Sequence, residues 1–147
     1  MEKRQVVIFK CRNEEFALDI NTVKEIIAPP LITRVPRSAV YIKGVINLRG
    51  IIVPIISLSI RLGHDEQDFS EDTRIIIVNI NDVLAGIIVD RVEEVVYLNR
   101  DEIETPELTD SIETKFVQGI GRLNDRLLIM LDIAEILNLE GEPILLN

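Results

Sequence analysis

The chain has 147 residues and a formal net charge of −9, with 47% hydrophobic and only 4% aromatic residues. This length suits a single domain that buries about two thirds of its unfolded surface. The negative charge argues against nucleic acid and anionic lipid as partners, because binding to either requires clustered lysine and arginine. The apolar runs are too short for a membrane span or a signal-peptide core, so we expect a cytoplasmic protein without direct membrane insertion.

In chain order, the first predicted element is a strand, a polar turn and a second strand, followed by a Val-x-Glu segment that contains Val23 and Glu25. A second hairpin covers residues 44–58, where Arg49 and Gly50 form the tight turn and Ser57 is a candidate helix cap. The stretch GHDEQDFSED then has five acidic residues and reads as a solvated linker.

Both hairpins recur after this linker. Residues 75–96 align without gaps on residues 6–27, and residues 119–133 align on residues 44–58. The alignment matches Val92 with Val23, Glu94 with Glu25, and Asn124 with Arg49. We call such matched residues repeat partners. Because Asn124 stands where the first hairpin has Arg49, we expect this arginine in one repeat only.

The repeat predicts one domain over residues 1–147, with halves at approximately 5–62 and 73–139 and the acidic linker at 63–72. The first and last strands are free to exchange between the halves. Each half has four or five short strands rich in isoleucine and valine, which favours small closed β-barrels over a wide sandwich. We therefore predict a mostly β protein of two barrels packed together, with a groove between them. Short helices are predicted at residues 21–27, 57–62, 111–116 and 132–139.

Residue patterns typical of enzymes are weak in this sequence. His64 is the single histidine and lies in the acidic linker, while Cys11 is the single cysteine and sits in an alternating apolar run. The Gly119-x-Gly121 pair fails the dinucleotide fingerprint, because Asn124 occupies the place of its third glycine. We therefore expect no enzyme, cofactor or metal site, and a function that depends on surface contacts.

Four segments of the chain form a recognisable set: VVIFKCRNEEFALDINTVKEII, RVPRSAVYIKGVINLRGIIVPIISL, GIIVDRVEEVV and FVQGIGRLNDRLLIMLDI. Together they resemble the CheW family, the coupling proteins of bacterial chemotaxis. The resemblance runs from about residue 5 to 139, and YIKGVINLRGIIVPI is a long and specific string. It implies two five-stranded, SH3-like barrels. It also implies an adaptor that joins the histidine kinase CheA, through its C-terminal regulatory domain, to the cytoplasmic tips of methyl-accepting chemoreceptors.

The resemblance also implies roles for particular residues. Arg49 lies where family members carry an arginine important for the receptor and kinase complex, and we predict that it pairs with Glu25. Val23 is a second receptor-facing candidate, with packing in the core as the alternative. The positions that contact the kinase in the family correspond to Arg74, Gly86 and Val92 in this sequence, so the resemblance implies these three as candidates for kinase binding.

Two other functions remain open from the sequence. The chain could serve as a coupling protein in a receptor and kinase pathway unrelated to chemotaxis, using the same residues. A small-molecule-binding barrel or an unrecognised hydrolase is the alternative from a different functional class.

Overall fold

The computed structural model describes residues 3–105, 114–139 and 142–143. The strands are β1 (Lys3–Cys11), β2 (Glu14–Asp19), β3 (Val23–Ile27), β4 (Ile42–Leu48), β5 (Ile51–Ser57), β6 (Arg74–Ile80), β7 (Val83–Val89), β8 (Arg91–Asn99), β9 (Ile103–Glu104), β10 (Val117–Leu123), β11 (Arg126–Leu131), β12 (Asn138–Leu139) and β13 (Glu142–Pro143). The helices are α1 (Leu58–Arg61) and α2 (Ile133–Ile136), with 3₁₀ turns at Ile20–Thr22, Arg100–Glu102 and Thr114–Phe116. The mostly β prediction, with a few short helices, is confirmed.

Within the described residues, both large sheets combine strands from before and after the acidic linker. One sheet has six strands in the order β8-β1-β2-β11-β10-β9, and the other has five in the order β3-β6-β7-β5-β4. Parallel contacts join β2 to β11 and β5 to β7. The hairpin β1–β2 thus lies in the sheet of β8 to β11, and the hairpin β6–β7 lies in the sheet of β3 to β5. The six-stranded sheet also exceeds the five strands that the resemblance implied, because the two-residue strand β9 pairs with β10.

Each sheet curls around an apolar cluster of its own, so we call the two subdomains the six-strand barrel and the five-strand barrel. The six-strand barrel encloses Val6, Ile8, Ala17, Leu98, Leu128 and Met130. The five-strand barrel encloses Ile46, Leu48, Val53, Ile55, Ile75, Ile77 and Ile88. A third cluster draws on both barrels and includes Phe9, Phe16, Leu18, Ile56, Ile76, Val78, Ile87 and Leu131. Each fully buried side chain of this size contributes roughly 1.5–3 kcal/mol, so the shared cluster holds the barrels together.

Two of the predicted helices are confirmed, both directly after a strand. Ser57 caps α1 by accepting a hydrogen bond from the backbone N–H of Ile60 at 3.2 Å, and Asp132 caps α2 by accepting one from Glu135 at 3.2 Å. The second helix is shorter than predicted, because β12 begins at residue 138.

The helix predicted at residues 21–27 is wrong, since residues 23–27 form β3. Its side chains alternate between more and less buried positions, as expected for a strand, and it pairs with β6. The helix predicted at residues 111–116 lies partly outside the described residues, and its last three residues form a 3₁₀ turn.

Candidate functional site

Arg49 lies at the tip of the β4–β5 hairpin and forms the predicted ion pair with Glu25 on β3. Its Nη1 donates a hydrogen bond to Glu25 Oε1 at 3.2 Å, and its Nη2 donates to Oε2. This bidentate geometry is typical of a planar guanidinium paired with a carboxylate. Strands β3 and β4 are the two edges of the five-stranded sheet, so the ion pair joins the tip of the β4–β5 hairpin to the opposite edge strand.

The ion pair keeps both side chains charged. The hydrogen bond from Arg49 is the main cause that lowers the pKa of Glu25, and the same bond raises the pKa of Arg49. The Arg49 side chain remains 67% exposed, so solvent screens the pair and it adds little to the stability of the fold. The carboxylate instead holds the guanidinium at a defined place on the surface.

The turn itself does not require an arginine. Arg49 has a φ of 50° and Gly50 a φ of 89°, which is the left-handed geometry of a two-residue hairpin turn. Asparagine tolerates this geometry better than a long side chain does, and Asn124 adopts it with a φ of 58° in the other barrel. The geometry of the turn therefore does not explain why residue 49 is an arginine. The contact with Glu25, which holds the guanidinium at the surface, does.

A β-bulge separates Val23 from Glu25. Val23 lies opposite Val78 and Glu25 opposite Ile77, so Lys24 is an extra residue in β3. Opposed residues share a face of the sheet. Val23 therefore faces the shared cluster, as Val78 does, whereas Glu25 faces the five-strand barrel, as Ile77 does, and lies at its rim. Val23 is half-buried, and it packs against the shared cluster while keeping part of its surface exposed.

The three residues predicted to bind the kinase occupy different environments. Arg74 is half-buried at the start of β6, where its Nη1 donates to the carbonyl oxygens of Glu71 and Thr73 at 2.9 and 2.7 Å. Val92 is the repeat partner of Val23 and is likewise half-buried against the shared cluster. Gly86 is buried in β7, so the structure does not bring it to the surface with the other two.

A second arginine, which was not predicted from the sequence, lies at the rim of the six-strand barrel. Arg126 donates from Nε and Nη2 to the two carboxylate oxygens of Glu15 at 3.0 and 3.1 Å, and from Nη1 to Glu94 at 3.4 Å. The hydrogen bond to Glu15 is the main cause that raises the pKa of Arg126. Glu94 is the repeat partner of Glu25, so each of these two glutamates contacts an arginine, although Asn124 and not an arginine stands at the repeat position of Arg49. Arg126 aligns with Ile51 rather than Arg49, and a comparison made at position 49 alone could not find it.

An open cleft of about 300 Å³ lies between the two barrels, beside the 3₁₀ turn that precedes Val23. Asn21 and Thr22 of this turn line the cleft, together with Ile80 of the five-strand barrel. Arg4 also lines the cleft, and its Nη2 donates to Asp19 at 3.2 Å and to Gln118 Oε1 at 3.1 Å. The cleft thus has a partly polar lining next to the turn that leads into Val23.

A family model described as a CheW-like domain matches residues 5–141. The chain belongs to the CheW-like family. It is 37% identical over 138 residues to the chemotaxis protein CheW of Klebsiella aerogenes, covering 93% of this chain and 83% of that protein. It is 38% identical over 136 residues to the chemotaxis protein CheW of Helicobacter pylori, covering 92% of this chain and 82% of that protein. The crystal structure of the scaffolding protein TtCheW from Thermoanaerobacter tengcongensis matches it with a TM-score of 0.91 at 37% identity, covering 100% of this chain and 96% of that one.

The described part of this CheW-like domain contains no group of histidine, cysteine, aspartate and glutamate side chains placed to hold a metal ion. In the same residues, no helix has the length and apolar character needed to cross a membrane. Cys11 is a free, buried cysteine whose thiol belongs to the shared cluster of the CheW-like domain.

We expect Cys11 to resist thiol labelling at pH 8 in the folded protein and to react once urea unfolds it. Burial is the main cause that raises its pKa from 9.0 to about 12, so the reactive thiolate is scarce. Between these values the folded state keeps a proton that the unfolded state releases. The free energy of unfolding should therefore fall as the pH rises from 9 towards 12. Labelling with a chromogenic disulfide reagent across a urea titration at pH 8 tests the protection of the thiol, and rapid labelling without urea would contradict that protection. Urea titrations at higher pH test the fall in the free energy of unfolding.

Proposed function

We propose that this CheW-family chain is a non-catalytic adaptor of bacterial chemotaxis that couples chemoreceptor tips to the histidine kinase CheA. Its similarity to the chemotaxis proteins CheW and to the scaffolding protein TtCheW supports this function. The single observation that carries it is the exposed guanidinium of Arg49, held by Glu25 at the rim of a barrel. The adaptor acts in the cytoplasm and reaches the inner face of the membrane through its receptor partners.

The receptor partner is an amphipathic helix of the cytoplasmic tip. Such a helix presents an apolar stripe with charged flanks. Because β3 is an edge strand, a helix that runs along this edge can contact both the exposed part of Val23 and the charged pair of Arg49 and Glu25, although the bulge turns Val23 and Glu25 to opposite faces. The open cleft beside Thr22, the residue before Val23, is large enough to receive a side chain of this helix. The receptor state then reaches the kinase through differences in these contacts, without a chemical step on the adaptor.

The kinase partner is the C-terminal regulatory domain of CheA, for which Arg74 and Val92 are the proposed contacts. Strand pairing places Arg74 opposite Val89, three residues before Val92, so both lie near the junction of β7 and β8. Gly86 acts on the same region through packing, because it is buried in β7. The regulatory domain resembles this chain, so head-to-tail contacts between related barrel ends are able to close into rings.

Reconstitution tests this function. CheA autophosphorylation is measured with receptor fragments in membranes or nanodiscs, with and without this protein. We expect kinase activity to become responsive to receptor ligand when the protein is present. An unchanged response would remove the proposal.

Arg49→Ala should weaken binding to a receptor-tip fragment about tenfold or more. The substitution removes the exposed guanidinium, while the hairpin keeps its turn and its buried strands. The urea midpoint should stay close to that of the wild type, because the pair with Glu25 is screened by solvent. Isothermal titration gives the affinity and urea unfolding gives the stability.

Arg100→Ala is the control for this prediction, since it removes another exposed arginine that lies outside the proposed docking surfaces. It should leave receptor binding unchanged. A large loss of stability for Arg49→Ala, with unaltered binding by the protein that remains folded, would assign Arg49 to the fold and contradict a docking role.

A further inference from the structure

The outer face of the β10–β11 hairpin carries an exposed aliphatic residue at the position where the β4–β5 hairpin of the other barrel also carries one. Ile120, Leu127 and Ile129 are the repeat partners of Val45, Ile52 and Pro54. The most exposed residue is the same in both sets, since Leu127 is 57% exposed and Ile52 is 56% exposed. Two large aliphatic side chains are thus left uncovered at equivalent points of the two barrels.

The rim beside each hairpin also repeats. Glu93 is an extra residue in β8, as Lys24 is in β3, because Phe9 lies opposite Val92 and Ile8 opposite Glu94. The bulge turns Glu94 to the rim of the six-strand barrel, where it meets the guanidinium of Arg126 at 3.4 Å. Each barrel therefore presents an arginine and a repeat-related glutamate next to an exposed aliphatic residue.

The two rims differ in how tightly they hold the arginine. Arg126 is bound by Glu15 as well as Glu94 and is 34% exposed, about half the exposure of Arg49. Glu15 lies on β2, so Arg126 connects three strands of its barrel. The guanidinium is consequently fixed in position before any partner arrives, which lowers the entropy lost when a partner binds.

An open cleft of about 570 Å³ lies at this end of the six-strand barrel. Its lining includes the apolar side chains Ile120, Leu127 and Ile129, and the charged side chains Lys10, Glu15 and Arg126. A segment that fills it must carry apolar groups along one stripe and charges of both signs beside that stripe. An amphipathic helix has this pattern, and it is the partner chemistry proposed for the Arg49 surface.

We infer that the chain has a second docking surface, made by Arg126, Leu127 and the adjacent cleft, for an amphipathic helix of the class that binds at Arg49. This inference rests on the proposed function, since it takes the partner class from there. The two surfaces belong to different barrels, so one adaptor bridges two partner helices. Binding at both surfaces raises the overall affinity for a partner that presents several helices.

The test is a titration of the full chain with a soluble helical-hairpin fragment of a receptor tip. Isothermal titration gives the number of fragments bound, and amide chemical shifts locate them. We expect two fragments per wild-type chain. Arg49→Glu and Leu127→Ser should each reduce the number to one, and the double variant should bind none. Leu127→Ser changes an exposed side chain and leaves the ion pairs of Arg126 in place, so the barrel stays folded.

Three results would overturn the inference. One fragment per wild-type chain, with shifts confined to β3 and the β4–β5 hairpin, would leave the proposed function intact and remove the second surface. Loss of binding to the isolated CheA regulatory domain by Leu127→Ser, with two fragments still bound, would show that the surface takes a barrel instead of a helix. Absence of fragment binding at both surfaces would overturn the proposed receptor contact together with the second one. Arg100→Glu, at an exposed arginine outside both hairpins, is the charge control and should leave two fragments bound.

Discussion

Gly86→Ala should destabilise the protein by roughly 1–3 kcal/mol, although it adds a single methyl group. A Cβ at this position would lie 2.5 Å from Ile55 Cδ1 and 2.7 Å from Ile75 Cγ2, inside the five-strand barrel. Strand β7 is paired on both sides, with β5 and β6, so the backbone has little freedom to move away. Urea unfolding measures the loss, and Gly86→Val should exceed it because two further methyl groups enter the same space.

A double variant identifies the cause. Ile55→Val removes the Cδ1 atom nearest to the new methyl, so Gly86→Ala should be less harmful in that background. Ala17 is the repeat partner of Gly86 and lies opposite Met130 in the six-strand barrel, which shows that a methyl group fits at the equivalent place there. A Gly86→Ala protein with wild-type stability and lost CheA binding would contradict the packing explanation and favour direct contact with the kinase.

Gly86 was a candidate kinase contact because of its position in the family pattern, yet its place in the fold is buried. A position on a strand says nothing about which side is covered until the neighbouring strands are known. The repeat alignment had the same limit, since it matched β1–β2 with β6–β7 correctly but contained no information on which sheet receives each hairpin. Caps and tight turns were predictable because their geometry depends on adjacent residues, as at Ser57 and Asp132.

The candidate site divides in the same way. The pair of Arg49 and Glu25 could be predicted, because an arginine at a turn and a carboxylate in a family motif are complementary in charge. The bulge at Lys24 could not, since no glycine or other local signal marks it, and it decides that Val23 and Glu25 face opposite sides. Arg126 could not be predicted for a geometric reason. It reaches Glu94, the repeat partner of Glu25, from a position two residues after Asn124, the repeat partner of Arg49.

Arg61→Ala should cost roughly 2–4 kcal/mol of stability, far more than removal of an exposed arginine. Its Nε donates to the carbonyl oxygen of Ile136 at 2.8 Å and its Nη2 to that of Glu135 at 3.3 Å. The guanidinium carbon also lies 4.5 Å from the ring centroid of Tyr41 and 4.8 Å from that of Phe116. These groups come from both barrels, so the alanine variant removes a connection between α1 and α2.

Arg61→Lys separates charge from shape. Lysine keeps the positive charge but lacks the planar fork that donates to two carbonyl groups while its faces lie against the rings, so we expect an intermediate loss. Arg122→Ala, which removes an exposed ion pair, should change stability by about 0–1 kcal/mol. Urea unfolding of the three variants orders them, and equal stability of Arg61→Ala and the wild type would contradict the role of Arg61 as a connection between the barrels.

This connection bears on the adaptor function, because a rigid adaptor transmits a change at one barrel to the other. At a temperature where Arg61→Ala remains folded, it should bind an isolated receptor-tip fragment normally, since the surfaces at Arg49 and Leu127 are untouched. Its coupling of receptor state to CheA autophosphorylation should fall, because the barrels are less firmly oriented. Normal coupling by the folded variant would show that the shared apolar cluster alone sets the orientation of the two barrels.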